Sequence, residues 1–213
     1  MSQVIDARSG IDATTLQMIA DAVRSGELVV IPTDTSYAVI CDAFHASAVT
    51  SLRIAKNQVS DVSLPIGAGS LQTINGIARL STMAIDVANA FWPGPLTMLT
   101  AAQDSLSWNI GSRDNAVAVR VPQHEIALQI LEAIGPVVLT GAQQSLANPV
   151  VTIEEAQSSL GDAVAYFVDA GSLSGTVSSV LDATTDALRL VREGALTLAQ
   201  LRDVAPMIIK ATA

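Results

Sequence analysis

Leu28-Val29-Val30-Ile31-Pro32-Thr33-Asp34-Thr35-Ser36-Tyr37 is the stretch on which the fold turns. Four consecutive apolar residues describe a strand buried on both faces, and the proline after them has no N–H with which to continue the ladder. Two threonine hydroxyls and a carboxylate are thereby presented at a sheet end, where open α/β folds bind ligands. Two later stretches have the same character. Phe91-Trp92-Pro93-Gly94-Pro95-Leu96-Thr97 is a turn dense in φ-controlling residues, and Ala118-Val119-Arg120-Val121-Pro122 puts an arginine at the end of another apolar strand.

Outward from these stretches the pattern alternates between helix and strand. Thr14-Thr15-Leu16-Gln17 reads as a capping box, and Leu16, Ile19, Ala20 and Val23 recur at helical spacing until Gly26 ends the run. Strands are predicted at Leu28–Ile31, Tyr37–Cys41 and around Leu64–Ile66, and a helix over Ala48–Ala55 delivers Lys56 at its C-terminus. Gly67 to Ser70 reads as a turn, followed by helices around Ile74–Leu80 and Met83–Phe91. The second half predicts strands at Leu96–Ala101, Ala116–Val121, Val137–Thr140, Ala165–Asp169, Ser178–Asp182 and Leu188–Val191, the last two paired. Between them fall a helix over Glu125–Ile134 and capping boxes at Thr152 and Thr197. This is an α/β pattern, expected as a single domain over 1–213 on a twisted, mixed sheet, with a core over about 12–205 and fraying after about Met207.

Composition bounds the function. The 213 residues are 50% hydrophobic, enough for one core without a disulfide or metal staple. The only cysteine is Cys41, and the start Met-Ser-Gln-Val-Ile-Asp-Ala-Arg lacks the apolar segment of a secretory signal, so a cytoplasmic location is expected. No apolar run reaches the roughly 18 residues that cross a bilayer. The mean hydropathy of +0.44 therefore reflects alanine and valine in a core, with no membrane partner implied. A net charge of −9 and 3% aromatic content argue against broad nucleic-acid affinity, which needs clustered cations and stacking platforms.

Taken in order and at these distances, the fragments resemble the YrdC family of threonylcarbamoyl-AMP synthases from about Gly26 to Gly194. The Pro32–Tyr37 box, the Trp92–Thr97 turn and the Arg120-Val121-Pro122 strand end carry the resemblance, with Lys56, Thr140, Ser178 and Arg192 falling where further family motifs stand. The resemblance implies a YrdC/RibB-type fold with a concave ligand groove and a nucleotidyltransferase. That enzyme converts threonine, bicarbonate and ATP to threonylcarbamoyl-AMP and pyrophosphate for tRNA modification, with Mg²⁺ carried on the ATP. Transfer RNA or tRNA-modification proteins are the implied partners.

The implied site follows residue by residue. Lys56 and Arg120 are candidates for direct catalytic roles. Thr33, Thr35, Arg120, Thr140 and Ser178 are candidates for holding threonine, since a guanidinium fork matches a carboxylate. Lys56, Gln58, Gly141, Gln143 and Arg192 are candidates for the nucleotide. Ser179 offers a further hydroxyl, Asp34 a water-mediated contact to Mg²⁺, and Tyr37 and the Trp92 turn wall packing. No residue set reads as a resident metal site: His45 and His124 lack companions at ligand spacing, and Cys41 has no CxxC partner. Gly67-Ala68-Gly69-Ser70 lacks the P-loop lysine.

The chain also departs from the family. A Lys-x-Arg pair becomes Lys56-Asn57-Gln58, a Ser-x-Asn box becomes Gly141-Ala142-Gln143, and Tyr-Gly becomes Tyr37-Ala38. A hydrogen bond to a charged group contributes roughly 1.5–3 kcal/mol, so two lost contacts correspond to a slowing of about a hundredfold to ten-thousandfold. Ser145, Arg113 and Arg79 are polar side chains that spacing does not assign to the site. Two readings therefore stand at this point: a synthase of weakened activity, or a noncatalytic paralogue that binds a nucleotide, an amino acid or RNA.

Overall fold

Pro32 ends its strand as its missing N–H requires, and the chain returns antiparallel with Ala38 opposite Ile31. The computed structural model describes residues 2–58, 62–108, 110–111, 115–145 and 147–211. In chain order its elements are β1 (Gln3–Asp6), α1 (Ala13–Arg24), β2 (Leu28–Ile31), β3 (Ala38–Asp42), α2 (Ala46–Ala55), β4 (Ile66–Gly67), α3 (Leu71–Ile77), β5 (Ala78–Arg79), α4 (Thr82–Phe91), β6 (Leu96–Ala102), β7 (Ala116–Arg120), α5 (Glu125–Ile134), β8 (Val137–Gly141), α6 (Ile153–Leu160), β9 (Val164–Asp169), β10 (Ser179–Asp182), β11 (Arg189–Arg192), α7 (Leu198–Val204) and β12 (Ile209–Lys210). All the strands join one mixed sheet in the order β1-β9-β2-β3-β8-β4-β7-β6-β10-β11-β12, with β5 paired to β6.

Strand pairing puts successive residues on opposite faces, and the two faces fare differently. On one face Val39, Cys41, Ile66, Met98, Val119, Val138 and Leu181 pack into the larger core with residues of α2, α3, α4, α6 and α7. On the other, Ala38, Ile40, Val137 and Leu139 are covered by Ile19 and Val23 of α1 and by Ile126, Ile130 and Leu131 of α5. That cover stops near β8. Beyond it, β6 alternates strictly between buried and part-exposed residues, and Thr97, Ala118 and Val180 remain half-open on β6, β7 and β10. Among the described residues no helix is long and apolar enough to cross a membrane.

Three sequence expectations are corrected. The first helix is capped by Asp12, whose carboxylate accepts from the Thr15 amide at 2.7 Å, so Thr14 lies inside the first turn. A carboxylate both satisfies an orphan N–H and complements the positive end of the helix. The helix expected over Ile74–Leu80 starts earlier, with Ser70 as its N-cap, and ends at Ile77 because Ala78 and Arg79 pair with β6. The ends are docked: β1 runs parallel to β9, and Ile209 and Lys210 pair with Arg189 and Leu190. Four-residue and two-residue edge strands carry too little periodicity to be read from sequence.

The Asp12 cap makes a prediction. Asp12→Ala lowers the stability of the protein by about 1 kcal/mol in urea denaturation, whereas Thr14→Ala stays within about 0.5 kcal/mol of the unsubstituted chain.

Candidate active site

Where the helical cover ends, a groove of about 380 Å³ crosses the sheet, and Ala38, Leu139, Gly141, Ala118, Thr97 and Val180 are among its lining residues. Its rim comes from loops at the strand ends: Thr33, Thr35 and Ser36 after β2, Gln143 and Pro149 after β8, and Thr176 to Ser178 before β10. Arg120 and Arg192 are its cations. A roomier cleft of about 640 Å³ beside α1 and β9 is lined by Asp21, Glu27 and Asp162 with no cation, which disfavours carboxylate and phosphate ligands.

Arg120 is held on three sides. Its Nε donates to Gly94 O at 3.2 Å, Nη1 to Thr35 Oγ1 at 3.2 Å and Nη2 to Asp34 Oδ1 at 2.6 Å. The ion pair is nearly buried, with side-chain exposures of 9% and 12%. Burial pulls the Arg120 pKa down, Asp34 opposes that, and the charge of Arg192 adds to it, so the two guanidiniums feel each other. The Trp92 turn supplies the Gly94 carbonyl, and a side chain at Gly94 would meet Phe91 O at 2.3 Å. Asp34 is thus the counter-ion of Arg120, its Oδ1 also accepting from the Gln123 amide at 3.0 Å.

The threonine box is partly self-satisfied. Thr33 Oγ1 donates to Ser36 O at 2.7 Å and accepts from the Thr35 and Ser36 amides, so its hydrogen is committed within the turn. Thr35 Oγ1 stands 3.1 Å from it and faces Arg120. The loop before β10 closes over this turn: Ser174 Oγ donates to Thr35 O at 3.2 Å and the Gly175 amide to the same oxygen at 2.9 Å. Tyr37 pins the start of that loop, donating to Gly171 O at 2.7 Å and accepting from the Ala170 amide at 3.0 Å. Desolvation pushes its phenol up to about 12.

At the other end, Arg192 clasps Ser178 O through Nε at 3.1 Å and Nη2 at 2.9 Å, while Ser178 Oγ lies 2.9 Å from Thr97 Oγ1. Arg192 has no acidic partner among the described residues. Ser179 is corrected from a ligand donor to a structural hydroxyl. It is fully buried, donates to Leu196 O and accepts from the Gly194 and Leu196 amides.

Lys56 and Gln58 do not line the groove. Asn57 takes a left-handed φ of 49°, with Asn57 N bonded to Ile54 O and Gln58 N to Arg53 O, so α2 ends in a Schellman motif that turns Lys56 inward. Its ammonium is buried and donates to the carbonyls of Gly141 and Gln143, bracing the groove wall from behind. Desolvation pulls its pKa down to about 8. The mobile phosphate-binding charge expected of Lys56 is thus a fixed brace, because a lysine stem reaches carbonyls at a strand end as readily as solvent.

Thr33, Thr35, Arg120, Thr140, Gly141, Gln143, Ser178 and Arg192 therefore converge on one groove. Arg79 pairs instead with Asp104, Ser145 holds the Lys56 carbonyl through its amide, and Arg113 lies outside the described residues. Ser63 is a groove residue that no local signal announced. Among the described residues, no three His, Cys, Asp or Glu side chains gather to hold a metal.

Comparison with known proteins gives the family. The Sua5/YciO/YrdC family model, described as "Telomere recombination", matches residues 21–194. A provisionally named threonylcarbamoyl-AMP synthase of Mycobacterium tuberculosis is 36% identical over 185 residues, covering 86% of this chain and 85% of its own. Pyrococcus abyssi Sua5 complexed with L-threonine superposes with a TM-score of 0.92 at 28% identity, covering 99% of this chain but 63% of that longer one. E. coli YciO shares the fold, with a TM-score of 0.85 at 22% identity over 94% of this chain and 100% of its own. The chain belongs to the Sua5/YciO/YrdC family.

Two measurements test the electrostatics. Asp34→Ala leaves a buried guanidinium unpaired and lowers stability by about 3–5 kcal/mol, and Arg120→Met in the same background restores much of it. Lys56 titrates in the native state near 8 against an ordinary 10.5. Below about pH 8 both states are protonated and the full burial cost is present. Between about 8 and 10.5 the unfolded chain binds more protons, so this contribution to stability rises with pH. Cys41, pushed from 9.0 up to about 12 by burial, acts in the opposite direction at high pH and is common to both proteins compared. The stability of the unsubstituted chain relative to Lys56→Met therefore climbs by up to about 3 kcal/mol across that window, measured by urea denaturation.

Proposed function

We propose that this protein is a threonylcarbamoyl-AMP synthase acting in tRNA modification. The observation that carries the reading is Arg120, a nearly buried guanidinium fixed at the family's Arg-x-Pro position on the groove floor. Of its five N–H groups three are engaged by Gly94, Thr35 and Asp34, leaving two for a ligand carboxylate. The threonine complex of the P. abyssi relative supports threonine as that ligand.

In this reading the threonine carboxylate takes the free N–H groups of Arg120, and Thr35 and Thr140 meet its polar edges. Thr33 acts by holding Thr35 in place. The threonine amine and bicarbonate form a carbamate with loss of water. A carbamate oxygen then attacks the α-phosphorus of ATP, and pyrophosphate departs. Arg192, free of an acidic partner among the described residues, together with the Ser178 hydroxyl offers the positive end of the groove to the triphosphate. Mg²⁺ enters as part of the ATP substrate. No covalent enzyme intermediate is needed, so the protein's contribution is positioning and charge stabilisation.

Threonine-dependent pyrophosphate release from ATP and bicarbonate is the direct test, and its absence above a heat-inactivated control ends the synthase reading. Arg120→Lys keeps a charge but loses the planar fork. It lowers kcat/KM by about tenfold to a hundredfold, corresponding to roughly 1.5–3 kcal/mol. The replacements at Gln58, Gly141 and Gln143 favour a second reading, a noncatalytic binder. Calorimetric binding of ATP or threonine without turnover decides for it.

A further inference from the structure

Ser178 stands just before β10 and Ser179 opens it, and their hydroxyls go to opposite sides. The Ser178 hydroxyl meets Thr97 in the groove, whereas the Ser179 hydroxyl meets the turn between β11 and α7. There Ser179 Oγ donates to Leu196 O at 2.6 Å and accepts from the Gly194 and Leu196 amides at 2.9 and 3.0 Å. The buried hydroxyl thus uses its one hydrogen and both lone pairs on that turn. The Ala195 amide donates to Val177 O at 2.9 Å, so the chain is tied to the same turn on both sides of Ser178.

Gly194 marks the closest approach. A Cβ there would lie 2.3 Å from Val177 O and 2.7 Å from both the carbonyl carbon and the oxygen of Ser178. Its φ is not left-handed, so the position requires space and not backbone freedom. The atoms in the way are backbone and cannot swing aside. The Ser178 carbonyl in turn holds Arg192, whose Nε and Nη2 both donate to it, with Nη2 also 3.2 Å from Ser178 Oγ. No other described residue bonds this guanidinium, and its Nη1 hydrogens remain for a ligand. The guanidinium points where Ser178 sets it, and Ser178 is set by the turn behind it.

We infer that Ser179 and Gly194, neither of which lines the groove, are positioning residues for its anion-binding end: one anchors, and the other makes room for, the backbone that aims Arg192. The inference rests on the reading of Arg192 as a cation for the triphosphate.

Two substitutions disturb this backbone by different routes. Ser179→Ala removes the anchor without adding bulk, and Gly194→Ala adds one carbon where there is no room for it. Calorimetry with Mg²⁺-ATP and, separately, with threonine reads the effect, at a temperature where thermal unfolding shows each variant folded. Each is expected to bind ATP about tenfold more weakly, while threonine, held at the Arg120 end, binds within about twofold of its affinity for the unsubstituted protein. In an Arg192→Met background neither should weaken ATP by more than about a further twofold, because both act through the guanidinium they aim.

Either variant, if folded and binding ATP as the unsubstituted protein does, overturns the inference even when its melting temperature falls, since that is the mark of a structural contact alone. Equal losses of ATP and threonine affinity overturn it as a general loosening of the fold, and so does a loss that persists in full in the Arg192→Met background. If Gly194→Ala does not fold, Ser179→Ala decides. When the unsubstituted protein binds ATP and the variants match it, the nucleotide reading stands and this inference alone falls. If the unsubstituted protein binds no ATP, both fall.

Discussion

Arg120 keeps its charge at 9% side-chain exposure because two separate parts of the chain meet it: Asp34 and Thr35 from the turn after β2, and Gly94 from the turn after α4. An unpaired guanidinium at that depth would cost several kcal/mol, so these segments cannot drift apart without exposing or orphaning it. The requirement ties the β2–β3 turn and the Trp92 turn to the end of β7, and the groove takes its shape from that junction. One side chain thus joins the strand ends that shape the groove, with three of its N–H groups satisfied within the protein.

The second determinant is incomplete cover. One face of the sheet is packed along most of its width, while α1 and α5 shield only the β2, β3 and β8 end of the other. The uncovered strands avoid a large exposed apolar face by alternating, with Thr97, Ala118 and Val180 in the half-open positions. The loops that rim this surface are braced by buried contacts, Lys56 behind the β8 end and Tyr37 under the loop before β10. Rigid walls reduce the ordering cost of binding a ligand in the groove.

Much of the architecture was legible because local chemistry and tertiary environment agree. Proline after a run of four apolar residues, capping boxes at Thr152 and Thr197, and the apolar face of Glu125–Ile134 each act within a few residues, and the structure bears them out. The helix start at Asp12 was misread because Thr14 and Asp12 both offer an oxygen near the same amides, and only geometry chooses between them. The edge strands at Gln3–Asp6 and Ile209–Lys210 owe their form to partners more than a dozen residues away. Within the site, Thr33, Thr35, Arg120, Thr140, Gly141, Gln143, Ser178 and Arg192 were named from motif positions, and the groove collects them.

By itself the sequence determined the order and type of the main elements, the family, and which polar residues stand at strand ends. These properties follow from backbone constraints and periodicities that act over a turn or two. Tertiary structure alone decided which of those polar groups remain available. Ser179 is consumed by Leu196 and Gly194, the Thr33 hydrogen by Ser36, and the Lys56 ammonium by two carbonyls some 85 residues onward, while Arg192 stays free of any acidic partner among the described residues. Hydrogen-bond capacity is finite and is allotted by whichever groups the fold brings within reach, so a residue's chemistry can be read in the chain but its vacancy cannot.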